Sequence, residues 1–165
     1  MSAGSVDLGI VAYPVKRSGL EVLPFREDRL VLICAPDHPL ANKSEVRVEQ
    51  LDRERFIAFE KDVPTRRAVD RILRSHGCQA EIVMEFDNIE TIKRAVEIEA
   101  GVSIVPQLTV ASEARTGTLR IVPFAGKGYV RQLGILLRRG RARTQVMDRF
   151  LALLKEDPPV STDLV

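Results

Sequence analysis

From Phe56 to Phe124 short apolar runs alternate with amphipathic stretches, and that alternation restricts the fold more than any other feature. "FIAF" reads as a strand. In "TRRAVDRILRSHG", Ala68, Val69, Ile72 and Leu73 fall on one helical face, which predicts a helix with Thr65 as its N-cap and Gly77 just past its end. "EIVMEF" predicts a second strand. "DNIETIKRAVEIEAG" predicts a second helix: Asp87 caps it, Glu90 completes a capping box, Ile89, Ile92 and Val96 form the stripe, and Gly101 stops it. "VSIVP", "TVASEARTG" and "LRIVPF" follow as strand, short helix and strand. Repeated strand–helix units predict an α/β fold with a parallel sheet.

The flanking segments are plainer. In "SVDLGIVA", Val6, Leu8 and Ile10 alternate before a Tyr13-Pro14 break, and in "DRLVLICA" Leu30 to Ile33 are continuously apolar, as in a strand buried on both faces. A polar stretch from Asn42 to Arg55 separates these from the regular block. Near the end, "RQLGILLRR" predicts a strand with Leu133, Ile135 and Leu137 on one face. "TQVMDRFLALLKE" predicts a helix with Val146, Phe150 and Leu154 on one row and Met147 and Leu151 beside it. Pro158-Pro159 ends that helix, and the last residues are expected to be disordered.

The 165 residues fit one ordinary domain or two small lobes. A net charge of +2, no Trp and two Tyr give no footprint for nucleic acid. Arg138, Arg139, Arg141 and Arg143 read as a solvated strand-to-helix turn. No apolar run is long enough to span a bilayer, and the residues after Met1 are small and acidic, unlike a secretory leader. A cytoplasmic location with two free thiols is the expectation.

"CAPDHPLANK" places Cys34, Asp37 and His38 together, the ingredients of a nucleophilic site. Yet Cys34 ends an apolar strand, where cysteine packs as a small hydrophobe, and His38 precedes proline in a turn. Cys34, His38, His76 and Cys78 supply zinc-type ligands, but neither C-x3-H nor H-x-C is a finger spacing. No nucleotide-binding glycine motif is present. Neither enzyme, metal nor cofactor chemistry has positive support.

Better supported is a ligand site at the carboxyl ends of the strands, where helix N-termini present free N–H groups. Those ends carry Tyr13, Glu60, Lys61, Thr65, Asn88 and Gln107 around an apolar floor, a mixture suited to a small polar metabolite.

"GSVDLGIV", "LVLICAPDHPLA", "LDRERFIAFE", "AVEIEAGVSIVPQ" and "GTLRIVPF" occur in the order found in the effector-binding domain of LysR-type transcriptional regulators, which the chain resembles from Gly4 to Leu154. "HPLA" and "AGVSIVP" are the more specific pieces. The resemblance implies a two-lobed fold like type 2 periplasmic binding proteins, with an effector held between the lobes and no catalysis. By it, residues 1 to 54 and 130 to 165 form lobe one, and residues 55 to 129 form lobe two. Effector-binding positions carried over are Ala12, Tyr13, Glu60, Lys61, Thr65, Asn88 and Pro106. Alanine at position 12 departs from relatives that hold a carboxylate there with arginine.

The match begins at the third strand of lobe one, so lobe one is expected to be incomplete and the helix-turn-helix domain to be absent. On that expectation the partners are a small polar or anionic effector and further copies of the chain, with DNA reached only through the missing domain. A solute-binding protein of the same fold, or a small enzyme using Cys34, are the competing readings.

Overall fold

A computed structural model describes residues 6–140 and 142–156. Arg141, Pro158-Pro159 and the tail expected to be disordered lie outside the described residues. The contacts divide the chain into two compact units. Among the described residues, one holds those from 6 to 27 and from 131 to 156; the other is built from Asp28–Val130.

The second unit contains the regular block. The strand β2, Leu20–Cys34, enters it at Asp28 and pairs antiparallel with both β5, Ser103–Pro106, and β6, Arg120–Val122. β3, Arg55–Phe59, pairs parallel with β4, Glu81–Phe86, and meets Val102 through a parallel bridge at Phe56. The expected parallel sheet is therefore confined to the neighbourhood of β3. Antiparallel partners of β2 come from far along the chain, where local periodicity carries no pairing information.

Helices α1, Pro64–Ser75, and α2, Ile89–Glu97, cover opposite faces. Strand alternation divides the core between them. Leu30, Leu32, Phe56, Ala58 and Ile104 pack with Val69, Ile72 and Leu73 of α1. Val31, Ile33, Ile57, Phe59 and Val105 pack with Ile92, Ala95 and Val96 of α2. Each Val, Leu, Ile or Phe among them contributes about 1.5–3 kcal/mol when fully buried. A short helix, α3, spans Ala111–Thr116 after a 3-10 turn at Gln107–Val110.

Helix boundaries differ from expectation in three places. Val63 is the N-cap of α1, with Pro64 at the first position and Thr65 inside the first turn. Proline there loses no hydrogen bond and is preset for helix, so it displaces Thr65 from the cap. Asn88, not Asp87, caps α2, its Oδ1 accepting from the Glu90 N–H at 2.7 Å. Nor does Gly101 stop α2, which ends at Glu97 with Glu99 at φ 61°. Gly101 answers a different need: a Cβ there would collide with the carbonyl of Arg55 in β3.

Residues 28–54 lie in the same compact unit as residues 55–130. Leu30–Cys34 are the reason, since they pair with β5 and β6 and supply both cores.

In the first unit β1, Leu8–Ala12, pairs antiparallel with β7, Tyr129–Arg138, and β7 is also hydrogen-bonded to β2. Helix α4, Gln145–Glu156, packs Leu151, Met147 and Leu154 against Ile135, Leu137, Leu8, Leu23 and Phe25. The expected row of Val146, Phe150 and Leu154 is split: Val146 and Phe150 are exposed, together with Leu153. The helix turns its Met147–Leu151–Leu154 side to the sheet because those three lie at i, i+4 and i+7.

Candidate functional site

In the second unit the carboxyl ends of β3, β4 and β5 collect five of the expected effector positions. The Glu60 N–H donates to the carbonyl of Phe86 at 2.9 Å, holding the ends of β3 and β4 level. Glu60 and Lys61 then lie exposed in the loop to α1, while Thr65 and Pro106 are buried. Asn88 sits exposed at the end of β4, with its carbonyl oxygen committed to capping α2. Ala12 and Tyr13 belong to the first unit and are half-buried there. Tyr13 adopts φ 50° and donates its N–H to the carbonyl of Gln132 at 2.8 Å. A Cβ at Gly134 would stand 2.6 Å from Pro14, so glycine lets the Tyr13-Pro14 corner lie directly on β7.

The α1 end of this arrangement is the N-terminus of a 12-residue helix. A helix N-terminus leaves backbone N–H groups without helical partners. The Arg66 N–H is taken by the Val63 carbonyl at 3.0 Å, and valine offers no side-chain cap to the others. Thr65 is 4% exposed as a residue, but its hydroxyl, which bonds to no other described residue, still reaches solvent.

Arg66, which is not among the candidate residues read from the sequence, is buried and fixes this end of the helix. Its Nη1 donates to the Phe59 carbonyl at 2.6 Å and to Glu85 at 2.5 Å, and its Nε to Asp70 at 2.8 Å. Arg66 holds the Glu85 carboxyl below the ordinary range, chiefly through that hydrogen bond, with a smaller contribution from the charge of Lys61. Two carboxylates neutralise the buried guanidinium, and Lys61 is left as the exposed cation of the loop. No local pattern marks an arginine at this helical position for burial.

The Cys34–His38 segment does other work. Cys34 is fully buried, and burial pushes its thiol up to about 11, far from the thiolate that nucleophilic chemistry needs. The His38 Nδ1 accepts the Leu40 N–H at 3.2 Å, and the Ala41 N–H donates to the His38 carbonyl at 2.8 Å. "HPLA" is a hydrogen-bonded turn. His76 ends α1, where its Nε2 lies 3.2 Å from the Tyr129 hydroxyl. Among the described residues no group of three His, Cys, Asp or Glu is placed to hold a metal ion.

A family model described as "LysR substrate binding domain" matches residues 1–158. A probable RuBisCO transcriptional regulator of Guillardia theta is 32% identical over 153 residues, covering 89% of this chain and 49% of that protein. Among solved structures, the regulatory domain of CcmR from Synechocystis PCC6803, in complex with 2-PG, is 31% identical with a TM-score of 0.83. That match covers 92% of this chain and 73% of the other. The effector binding domain of QuiR, in complex with shikimate, shares the fold at 19% identity and a TM-score of 0.78, over 91% of this chain and 70% of the other. The chain belongs to the LysR substrate-binding domain family, and its fold is the periplasmic-binding-protein-like α/β fold of those effector-binding domains. It spans about half the length of the curated relatives it matches.

Proposed function

We propose that this chain is the sensing part of a LysR-type transcriptional regulator and that its second unit binds a small anionic effector at the carboxyl ends of β3, β4 and β5. The observation that carries this reading is Thr65: a solvent-reaching hydroxyl that no other described residue engages, in the first turn of a helix whose N-cap has no capping side chain. Hydroxyl and backbone N–H groups at such a terminus suit a phosphate or carboxylate oxygen. A neighbour of 31% identity was solved with 2-PG, a compound of that class. Glu60, Lys61, Asn88 and Pro106 frame the site.

On this reading the chain performs no catalysis and works in the cytoplasm; no described helix is long and apolar enough to cross a membrane. DNA is read by a separate helix-turn-helix domain, and copies of the regulator associate. The effector acts by binding one arrangement of the assembly better than another, and the difference in affinity, typically 1–3 kcal/mol, is what reaches transcription.

Calorimetry with 2-phosphoglycolate tests the reading. Saturable binding that Thr65→Val weakens by about 1–3 kcal/mol is expected, the cost of unpaired polar groups. Equal affinity in the variant would remove α1 from the site.

A further inference from the structure

The C-terminal end of α1, about 18 Å along the helix from Thr65's turn, borders a cavity that the effector reading does not use. It holds about 170 Å³, below the roughly 300–1,000 Å³ of drug-sized sites, so any occupant is small. Val46, Val48 and Phe124 line it and are buried. Backbone bonds fix this apolar part: the Val46 N–H donates to the Pro123 carbonyl and the Ala125 N–H to the Val46 carbonyl, each at 2.9 Å. Tyr129 stands edge-to-face with both Phe124 and His76, at ring-centre distances of 5.3 and 6.1 Å.

The polar lining is made of acceptors. A carbonyl oxygen can only accept, and the Ser75 hydroxyl and the His76 Nδ1 both face that of Ile72, at 2.8 and 3.0 Å. His76 Nδ1 therefore carries its ring hydrogen, and Nε2 accepts from the Tyr129 hydroxyl at 3.2 Å. Glu49 Oε1 lies 4.0 Å from the same Nε2. The Tyr129 oxygen and the Glu49 carboxylate are then both acceptors, and both line the cavity. The local charge has the same sign. Tyr129 ionises above the ordinary tyrosine range, pushed up first by burial and then by Glu49. Cys78, just past the helix, is pushed up by burial, Asp52 and Glu49. Arg47 also lines the cavity, yet its charge offsets neither shift. The end of α1 adds the partial negative charge of a helix C-terminus.

We propose that this cavity is a second ligand site, for a small organic cation: a primary ammonium or guanidinium on a short apolar stem. The charged head is held by the Glu49 carboxylate and the Tyr129 hydroxyl oxygen. The stem lies on Val46, Val48 and Phe124. An anion would meet Glu49 and the negative end of α1, with Arg47 alone in its favour.

Titrating n-butylammonium, n-butanol and butyrate into the 15N-labelled chain tests the proposal, read at the amides of residues 46–49, 76 and 124–129. The ammonium should give saturable shifts there, and the alcohol and the acid should bind more weakly. Glu49→Gln changes an exposed side chain without changing its size, so the rest of the amide spectrum should stay in place. It should weaken n-butylammonium about tenfold, the usual penalty for one lost hydrogen bond to a charged group. Arg47→Gln should tighten the same probe by removing a like charge. No saturable shift with the ammonium, alcohol or acid binding as tightly as the ammonium, or full affinity in Glu49→Gln would each overturn the proposal.

Discussion

Arg66 Nη1 lies 2.6 Å from the carbonyl oxygen of Phe59, so the last residue of β3 is hydrogen-bonded to the first turn of the helix that follows it. The same guanidinium reaches Glu85 of β4 and Asp70 of α1, which makes one buried side chain the junction of three elements.

Replacing Arg66 with methionine keeps the packing length and removes every donor. It leaves the Phe59 carbonyl without this partner and two carboxylates without their cation, at a cost of about 2–4 kcal/mol in denaturant unfolding. Lysine should recover only part, since an ammonium cannot reproduce the planar fork. A loss below about 0.5 kcal/mol, the range of ordinary surface substitutions, would show that the junction is dispensable.

Acid should weaken the second unit through its carboxylates. Lys93, buried between Glu90 and Glu113 at 2.8 Å from each, holds the Glu113 carboxyl below the ordinary glutamate value of 4.5, as Arg66 does for Glu85. A carboxyl lowered in the folded state stabilises it above the ordinary value and loses that contribution as pH falls through the folded one. Urea midpoints should therefore be flat near neutrality and drop below pH 4.5, and Glu113→Gln should flatten the drop. An unchanged acid limb in that variant would assign the loss elsewhere.

The Cys34 thiol should be inert. Its folded value of about 11 stands above the ordinary 9.0, so burial favours the thiol, and that stabilisation is lost as pH rises from 9.0 through about 11. Iodoacetamide at mild alkaline pH should leave Cys34 unmodified in the native chain and label it in urea. Fast native labelling would reopen the nucleophile reading.

Gly101→Ala places a methyl group on the carbonyl of Arg55, the oxygen that accepts the Val102 N–H at 2.8 Å. The clash is with backbone and has no side chain to yield, so a loss of about 1–3 kcal/mol is expected by thermal or denaturant unfolding. A neutral result would show that β3 and β5 can separate without cost.

Which of these features the sequence could disclose follows from the range of the forces involved. The apolar faces of α1 and α2 were legible because Val69, Ile72 and Leu73, and Ile92 and Val96, repeat at helical spacing. Caps were legible only to within a residue: Asp87 and Asn88 are both capable, and Pro64 decides against Thr65 by fixing the first helical position. The antiparallel partners of β2 were not legible, since Leu32 meets Ile104 and Val122 across gaps that no local pattern spans. Gly101 was read as a helix stop because its true constraint, the Arg55 carbonyl, lies 46 residues away by position in the chain. Of the site, Thr65 was legible as a helix-start residue, and its place inside the first turn, behind Pro64, was not.

The central claim is that the second unit receives an anionic effector at the start of α1 and the end of β5. Titrating 2-phosphoglycolate into the 15N-labelled chain and following each amide resonance tests it most directly. The account predicts saturable shifts at residues 63–67 and at Gln107, with little change at residues 34–41. Shifts confined to the basic turn around Arg138 and Arg139, rising without saturation, would contradict it.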